Sequence, residues 1–266
     1  MNKILERIEN SFKKAKAEKG YGFVAYLMAS DGGVQTSKKI VNLLPELGVD
    51  VIELGLAFSD PMAEGKTIQL ASKRVLDNGY KIAQAFEIAK DFRKNNSTTP
   101  IIFMGYYNPI LNYGVEEFCK KSADIGVDGL IIVDLPLEEE GEILPFIKKY
   151  QLHFIKLITP TTSIERAKLI LKSATGFVYY VSVKGITGTK APELQEVKTK
   201  VLKLKKLTNL PIVVGFGIKE KSQIEEIKTF AGGVVVGSSI VKLFEENKDE
   251  ASLIKKIKSF LHSLTL

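Results

Sequence analysis

The amino-acid sequence has 266 residues, of which one is cysteine, two are histidine and four are arginine, and it contains no long apolar segment. The one cysteine, Cys119, excludes a disulfide within the chain, and its helical surroundings predict a position in the core. The lack of a run of about 20 apolar residues argues against a transmembrane helix. Residues 1–7 predict an amphipathic helix that contains acids, which is not typical of a secretory signal. We therefore expect a soluble protein that stays in the cytoplasm.

The sequence is basic, with a formal net charge of +7, but the excess is almost entirely lysine. The lysines are scattered along amphipathic helical patterns with glutamates between them. Proteins that bind nucleic acids favour clustered arginines, whereas arginine occurs here only at Arg7, Arg74, Arg93 and Arg166. We therefore expect solvated helix faces with a mild attraction for anions, and no nucleic-acid partner.

The scarcity of histidine bears on metal binding. A metal-dependent barrel enzyme would need histidine and carboxylate ligands at the ends of its strands. His153 lies at the start of a predicted strand, on the face opposite the expected site, and His262 lies in the last predicted helix. Both positions are typical of packing or surface residues, so we expect no metal site.

Hydrophobic periodicity divides the chain into a regular alternation of strand and helix patterns. One helical pattern covers residues 67–76 and is closed by Asn78 and Gly79, where glycine supplies a left-handed cap. Another starts at the acids of residues 138–140. The alternation predicts a (β/α)8 TIM barrel with extra N- and C-terminal helices, in a single domain over residues 1–266. The eight strands are predicted at residues 22–29, 51–58, 101–107, 129–134, 153–158, 176–183, 211–217 and 233–237.

Glu53 interrupts the apolar strand pattern at residues 51–58. Burying a carboxylate among apolar side chains is costly unless the protein uses it. Glu53 is therefore a candidate general acid or base. The alternative is a buried glutamate with satisfied hydrogen bonds, or one that reaches solvent at the end of the strand.

The chemistry of a TIM barrel lies at the carboxyl ends of its strands, in the loops that follow them. The sequence places Asp60 and Glu64 after the second strand, Asp134 at the end of the fourth and Tyr179 on the sixth. The loop at residues 184–190 contains two glycines, two threonines and two lysines. This loop could be a lid over an anionic ligand or an ordinary solvated turn.

The seventh and eighth strands both end in glycine, at Gly215 and Gly217 and at Gly237. Glycine lets a phosphate approach backbone N–H groups closely, and Ser238 can open a short helix whose N-terminus faces the anion. Phosphate is frequently held at this place in barrels. Two such turns in consecutive units predict a phosphate site, although either turn alone could serve tight packing.

These segments together resemble one family, the α subunit of tryptophan synthase, over nearly the whole chain. The most specific match runs from Glu53 to Gly65, and further matches lie at residues 105–109, 134–138, 160–163, 185–188 and 215–217. The resemblance implies a lyase of tryptophan biosynthesis that cleaves indole-3-glycerol phosphate to indole and glyceraldehyde 3-phosphate. It also implies an α2β2 complex with the tryptophan synthase β subunit. Pyridoxal phosphate is expected only in that β subunit, and no cofactor is expected in this chain.

The resemblance also implies roles for individual residues. It implies that Glu53 is the acid/base residue, that Glu64 faces the indole N–H and that Tyr179 lies beside the reacting atoms. The implied phosphate-binding residues are Gly188, Gly217, Gly237 and Ser238. The implied walls of the indole pocket are Tyr26, Met104 and Phe216. The segments that match the loops facing the β subunit are Asp60, Pro61 and residues 107–109.

The chain departs from the usual family pattern in its loops. Glu64 stands where the family has aspartate, Ala57 and Lys66 replace prolines, Val183 replaces an arginine, and residues 30–32 replace Gly-Asp-Pro. Two other functions therefore stay open. The chain could be another phosphate-binding barrel enzyme, such as a sugar-phosphate epimerase. It could instead be a subunit with weakened catalysis that mainly activates its partner.

Overall fold

The computed structural model describes residues 3–182, 194–215, 217–247 and 249–265. These residues form nine strands, each paired in parallel with its neighbours: β1 (Gly22–Met28), β2 (Val51–Gly55), β3 (Ile101–Gly105), β4 (Gly129–Ile132), β5 (His153–Phe154), β6 (Lys156–Ile158), β7 (Val178–Val181), β8 (Ile212–Gly215) and β9 (Gly233–Val236). The order in the sheet is β5-β4-β3-β2-β1-β9-β8-β7-β6.

The two ends of this sheet are parts of one extended segment, because β5 and β6 are separated only by Ile155. β5 pairs with β4, β6 pairs with β7, and the Ile155 N–H still donates to the Leu130 carbonyl at 3.0 Å. The sheet is therefore a nearly closed barrel, which confirms the predicted TIM-barrel fold. The predicted strand at residues 153–158 exists, but it changes its pairing partner at Ile155.

Helices surround the barrel and follow the strands. They are α1 (Lys3–Lys19), α2 (Val34–Leu43), α3 (Lys66–Asp77), α4 (Ile82–Asn95), α5 (Tyr107–Tyr113), α6 (Val115–Asp124), α7 (Leu144–Lys149), α8 (Ile164–Ile170), α9 (Leu194–Leu204), α10 (Lys221–Ile227), α11 (Ser238–Glu246) and α12 (Glu250–Thr265). Short 3-10 helices cover Pro45–Leu47 and Leu137–Glu142. The acids of residues 138–140 thus lie in a 3-10 helix, and the α-helix starts only at Leu144.

Several predicted strands run past the point where pairing ends. The pattern at residues 51–58 pairs only as far as Gly55, and that at residues 101–107 only as far as Gly105. The Phe58 N–H donates to the hydroxyl of Ser72 on α3 at 2.9 Å instead of to a neighbouring strand. Residues 56–58 are apolar because they pack beside helices, so their apolarity indicates burial and not strand pairing.

Alternating strand residues divide the core into an inner and an outer layer. The inner layer fills the barrel with Val24, Val51, Ile102, Ile131, Ile155, Phe177, Val213 and Val235. Ile8 and Phe12 of α1 pack against this layer, and the Phe12 and Phe177 ring centroids are 5.5 Å apart. α1 therefore closes the amino-terminal mouth of the barrel, and only the carboxyl-terminal mouth is left for a site.

Buried ion pairs use three of the four arginines. Asp128 contacts both Arg7 and Arg93 at 2.5 Å, and Asp31 receives two hydrogen bonds from Arg74 at 2.9 and 2.6 Å. The expectation that basic residues occupy solvated helix faces is therefore wrong for these arginines, because each compensates a buried carboxylate.

Other expectations from composition concern the core and the membrane. Cys119 is buried, as predicted. His153 lies at the amino-terminal end of β5, and His262 is exposed on α12. Among the described helices, none has the length and apolarity needed to cross a membrane.

Candidate active site

The open mouth of the barrel is lined by inward-facing residues of β1, β2, β3 and β7. Tyr26 is in register with Glu53, and Met104 is in register with Gly55. Met104 and Tyr179 pack on the inner layer of the barrel. The structure therefore brings Tyr26, Glu53, Met104 and Tyr179 together at one mouth, as their places in the sequence predicted.

Glu53 is fully buried, and neither carboxylate oxygen has a hydrogen-bond partner among the described residues. Burial raises the pKa of Glu53 to about 8, and the nearby charge of Glu64 adds to the effect. Two alternatives were considered for Glu53: a carboxyl with satisfied hydrogen bonds and a carboxyl that reaches solvent. Neither agrees with its full burial and its lack of partners among the described residues. A protonated carboxyl that can gain and lose its proton near neutral pH suits general acid–base chemistry.

Glu64 lies on the loop between β2 and α3, directly before the cap residue Gly65 of α3. The residue is half-buried, and desolvation of its carboxyl raises its pKa to about 7. Both Glu53 and Glu64 therefore titrate close to neutral pH, and the charge on one disfavours the charge on the other.

Tyr106 holds this loop in place, a role that sequence reasoning missed. Its hydroxyl accepts a hydrogen bond from the Ala63 N–H at 2.9 Å, and its ring lies 5.3 Å from that of Phe58 between centroids. The backbone next to Glu64 is thereby fixed to the end of β3. The position of Tyr106 near the carboxyl end of the third predicted strand, at residues 101–107, was the available signal, because that end of the barrel carries the site.

Two tyrosines lie over strand glycines inside the mouth. A Cβ atom on Gly55 would approach the Tyr26 hydroxyl to 2.2 Å, and one on Gly215 would approach the Tyr179 hydroxyl to 2.7 Å. Both glycines are therefore needed for the rings to fit. Burial raises the pKa of Tyr26 and of Tyr179 well above the ordinary value, so both hydroxyls stay protonated.

The two glycine turns after β8 and β9 adjoin each other. The Ser239 hydroxyl, in the first turn of α11, donates to the Ile218 carbonyl at 2.8 Å. Gly217 has a φ of +65°, and a Cβ atom there would meet no atom within 4 Å among the described residues. Gly237 precedes α11, whose N-terminus has no side-chain cap among those residues, and Ser238 is exposed. This geometry can accept an anion at backbone N–H groups.

Two predicted site residues, Gly188 and Phe216, lie outside the described residues, as does the loop at residues 184–190. Asp31, three residues after β1, forms an ion pair with Arg74. Before it, Ser30 has a φ of +65°, a conformation that favours glycine. Among the described residues, no cluster of three or more histidine, cysteine or acidic side chains could hold a metal ion.

A cavity of about 360 Å³ lies outside the barrel, between the β2–α3 loop, α3 and α5. It is not the mouth that contains Glu53. Its walls are Leu56, Ala57, Phe58, Ser59, Leu76, Tyr80, Ile82, Asn108, Pro109 and Asn112. The cavity adjoins the loops that the sequence assigned to a partner subunit, at Asp60, Pro61 and residues 107–109.

A TIM barrel with two carboxyls and two glycine turns at its open mouth is built as an enzyme of the phosphate-binding barrel class. A sequence model of the family described as tryptophan synthase alpha chain matches residues 12–264. The chain belongs to this family.

Solved structures agree with this assignment. A chain from Aquifex aeolicus VF5 matches at 38% identity over 97% of this chain and 97% of its own, with a TM-score of 0.88. The tryptophan synthase subunit alpha of Legionella pneumophila is 35% identical over 97% of this chain and 96% of its own, with a TM-score of 0.87. A structure of the tryptophan synthase a2b2 complex of Pyrococcus furiosus, concerned with mutual activation, matches at 34% identity over 92% of this chain and 97% of that one, with a TM-score of 0.83.

Proposed function

We propose that this protein cleaves indole-3-glycerol phosphate to indole and glyceraldehyde 3-phosphate, as a tryptophan synthase α subunit. The observation that carries the proposal is the buried carboxyl of Glu53, which has no partner among the described residues and lies at the open mouth of a barrel of this family. A protein that buries a carboxyl group without a partner, at a cost to its stability, is expected to use that group for chemistry.

The reaction requires one proton at indole C3 and removes one proton from the side-chain hydroxyl. Glu53 serves both needs, because its raised pKa keeps it protonated at neutral pH. It donates its proton to C3, and the resulting carboxylate accepts the hydroxyl proton as the carbon–carbon bond breaks. The enzyme thus returns to its starting state without a net change in protons.

The indole nitrogen shares the positive charge that develops when C3 is protonated. An ionised Glu64 that accepts the indole N–H stabilises this charge where water is largely excluded. A pKa of about 7 leaves a substantial ionised fraction at neutral pH. Tyr179 lies beside the reacting atoms in this arrangement.

The remaining site residues bind the two ends of the substrate. Gly217, Gly237 and Ser238 present backbone N–H groups to the phosphate, and Gly188 is expected to join them from outside the described residues. Tyr26 and Met104 wall the indole pocket, and Phe216, also outside the described residues, completes it.

The proposal includes assembly with the tryptophan synthase β subunit into an α2β2 complex, in the cytoplasm, with residues 1–266 as one domain. The related Pyrococcus protein forms such a complex. The interface would contain Asp60, Pro61 and residues 107–109, and the cavity beside them could accept an apolar side chain of the β subunit. Pyridoxal phosphate belongs to that β subunit in this proposal.

A steady-state assay of indole release from indole-3-glycerol phosphate, with and without the β subunit, tests the function. We expect indole release by the chain alone and a faster rate in the complex. Binding to the β subunit without any indole release would contradict the proposal and favour a subunit that only activates its partner.

A further inference from the structure

The hydroxyl of Tyr26 is a polar group that the proposed reaction does not use. Tyr26 is 6% exposed, and its hydroxyl lies at the end of β2, where a Cβ atom on Gly55 would approach it to 2.2 Å. The ring stands beside Glu53 in strand register and lies over Gly55, the last residue of β2. A phenylalanine would fill the same space, so packing alone does not explain the hydroxyl.

Packing places Tyr26 on the side of the mouth that carries Glu64. Tyr26 belongs to a cluster with Ala57 and Ile68, which flank the loop that holds Glu64. Tyr179 belongs instead to the inner layer of the barrel. The half-buried Glu64 lies at the end of that loop, directly before the cap residue of α3.

We propose that Tyr26 is a positioning residue whose hydroxyl donates a hydrogen bond to the ionised Glu64 and directs it toward the indole N–H. This inference rests on the proposed function. A carboxylate has two oxygens, so one can accept from Tyr26 while the other accepts from the substrate. A hydrogen bond from a hydroxyl to an ionised carboxylate is also stronger than one between two neutral groups.

The electrostatics of the mouth support this pairing. Burial is the main reason that the pKa of Tyr26 is raised, and among charges Glu64 contributes more than Glu53. For Tyr179 the order of the two carboxylates is reversed. This order agrees with the packing, which places Tyr26 in the cluster beside the Glu64 loop and Tyr179 on the inner layer of the barrel. The titratable groups that face this mouth in the described residues are Tyr26, Glu53, Glu64, Tyr106 and Tyr179, while Tyr80 packs against the Tyr26 cluster from the side of the outer cavity.

The direction in which Tyr26 shifts the pKa of Glu64 follows from the protonation state of the Tyr26 hydroxyl. Tyr26 stays protonated, so its hydrogen bond stabilises only the ionised form of Glu64 and lowers the pKa of that carboxyl. Removal of the hydroxyl raises the pKa of Glu64. On the acid side of the pH profile, the variant therefore reaches half of its maximal turnover at a higher pH than the parent protein does.

The first test compares Tyr26→Phe with the parent in the complex with the β subunit, over the pH range of activity. We expect turnover near pH 7 to fall about tenfold, KM to change less than about twofold, and the acid limb of the turnover profile to move up by about one pH unit. In a Glu64→Gln background the same change should cost less than about threefold, because the acceptor charge is gone. The matched control is Tyr180→Phe, on the same barrel but facing outward, which should leave the profile unchanged.

The second test does not depend on activity. In the full chain labelled with carboxyl-¹³C glutamate, the Glu64 signal is identified by its loss in Glu64→Gln, and its pKa is measured by NMR titration. We expect Tyr26→Phe to raise the pKa of Glu64 by about one unit. An unchanged pKa would overturn the pairing, as would an equal loss of turnover in the parent and Glu64→Gln backgrounds. If the parent protein releases no indole, the proposed function fails and the titration alone decides the role of Tyr26.

Discussion

Glu53→Gln is expected to stabilise the protein, and the gain is expected to grow with pH. The folded protein holds the pKa of Glu53 at about 8, against an ordinary value of 4.5. Because the folded state binds the proton more tightly, Glu53 favours folding below about pH 4.5, and this contribution is lost as the pH rises toward 8. At 1.36 kcal/mol for each pKa unit, and with titration incomplete at both ends of the range, the loss between pH 5 and pH 8 is roughly 3 to 4 kcal/mol, and glutamine does not undergo it.

Urea unfolding of the parent and of Glu53→Gln at pH 5, 6.5 and 8 measures this effect. The difference in unfolding free energy should increase by roughly 3 to 4 kcal/mol from pH 5 to pH 8 in favour of the variant. The matched control, Glu139→Gln, changes an exposed glutamate and should show a difference that does not vary with pH. A constant difference for Glu53→Gln would refute the reasoning, because it would mean that the carboxyl is ionised or solvated in the folded protein.

Three further predictions concern activity and binding. Glu53→Gln should lower turnover by about 100-fold or more while glycerol 3-phosphate still binds, and near-normal turnover would contradict the acid/base role. Gly237→Ala should raise the dissociation constant for glycerol 3-phosphate about tenfold by calorimetry, whereas Gly141→Ala, where a Cβ meets no atom within 4 Å among the described residues, should leave it unchanged. Alanine is the better probe at Gly237, because its Cβ already comes within 3.2 Å of the Tyr26 Cβ and a valine would also displace that ring. Glu64→Gln should lower the rate with and without the β subunit and Glu64→Asp should retain it, so parent-like rates for Glu64→Gln in both states would make Glu64 a bystander.

The sequence was sufficient to predict the barrel, because the hydrophobic patterns that indicate its strands and helices are local and recur along the chain. Eight alternations of strand and helix patterns are visible in the hydrophobic period, and each is confirmed at its approximate position. The ends of the strands were less predictable, since Leu56 and Phe58 are apolar for packing and not for pairing. The change of partner at Ile155 could not be predicted either, because pairing depends on neighbours that are distant in sequence.

The site was predictable where one residue broke its local pattern. Glu53 is conspicuous in an apolar strand, and the glycines after β8 and β9 stand at strand ends. The anchor at Tyr106 was missed because its partner is a backbone N–H, at Ala63, that is 43 residues away in sequence. The bond from Arg7 to Asp128 spans 121 residues and leaves no local signal.

The difference between structural and functional carboxylates lies in their partners. Asp31, Asp128 and Glu140 are buried, and each contacts the cationic side chain of an arginine or lysine that compensates its charge. Among the buried carboxylates of the described residues, Glu53 alone meets no cation and no hydrogen-bond donor. Tyr26 and Glu64 are its neighbours at the mouth. These groups share one mouth, so a substrate that supplies an acidic N–H, a proton-accepting carbon and a hydroxyl satisfies them together, and the cost of burying them is offset only when that substrate is bound.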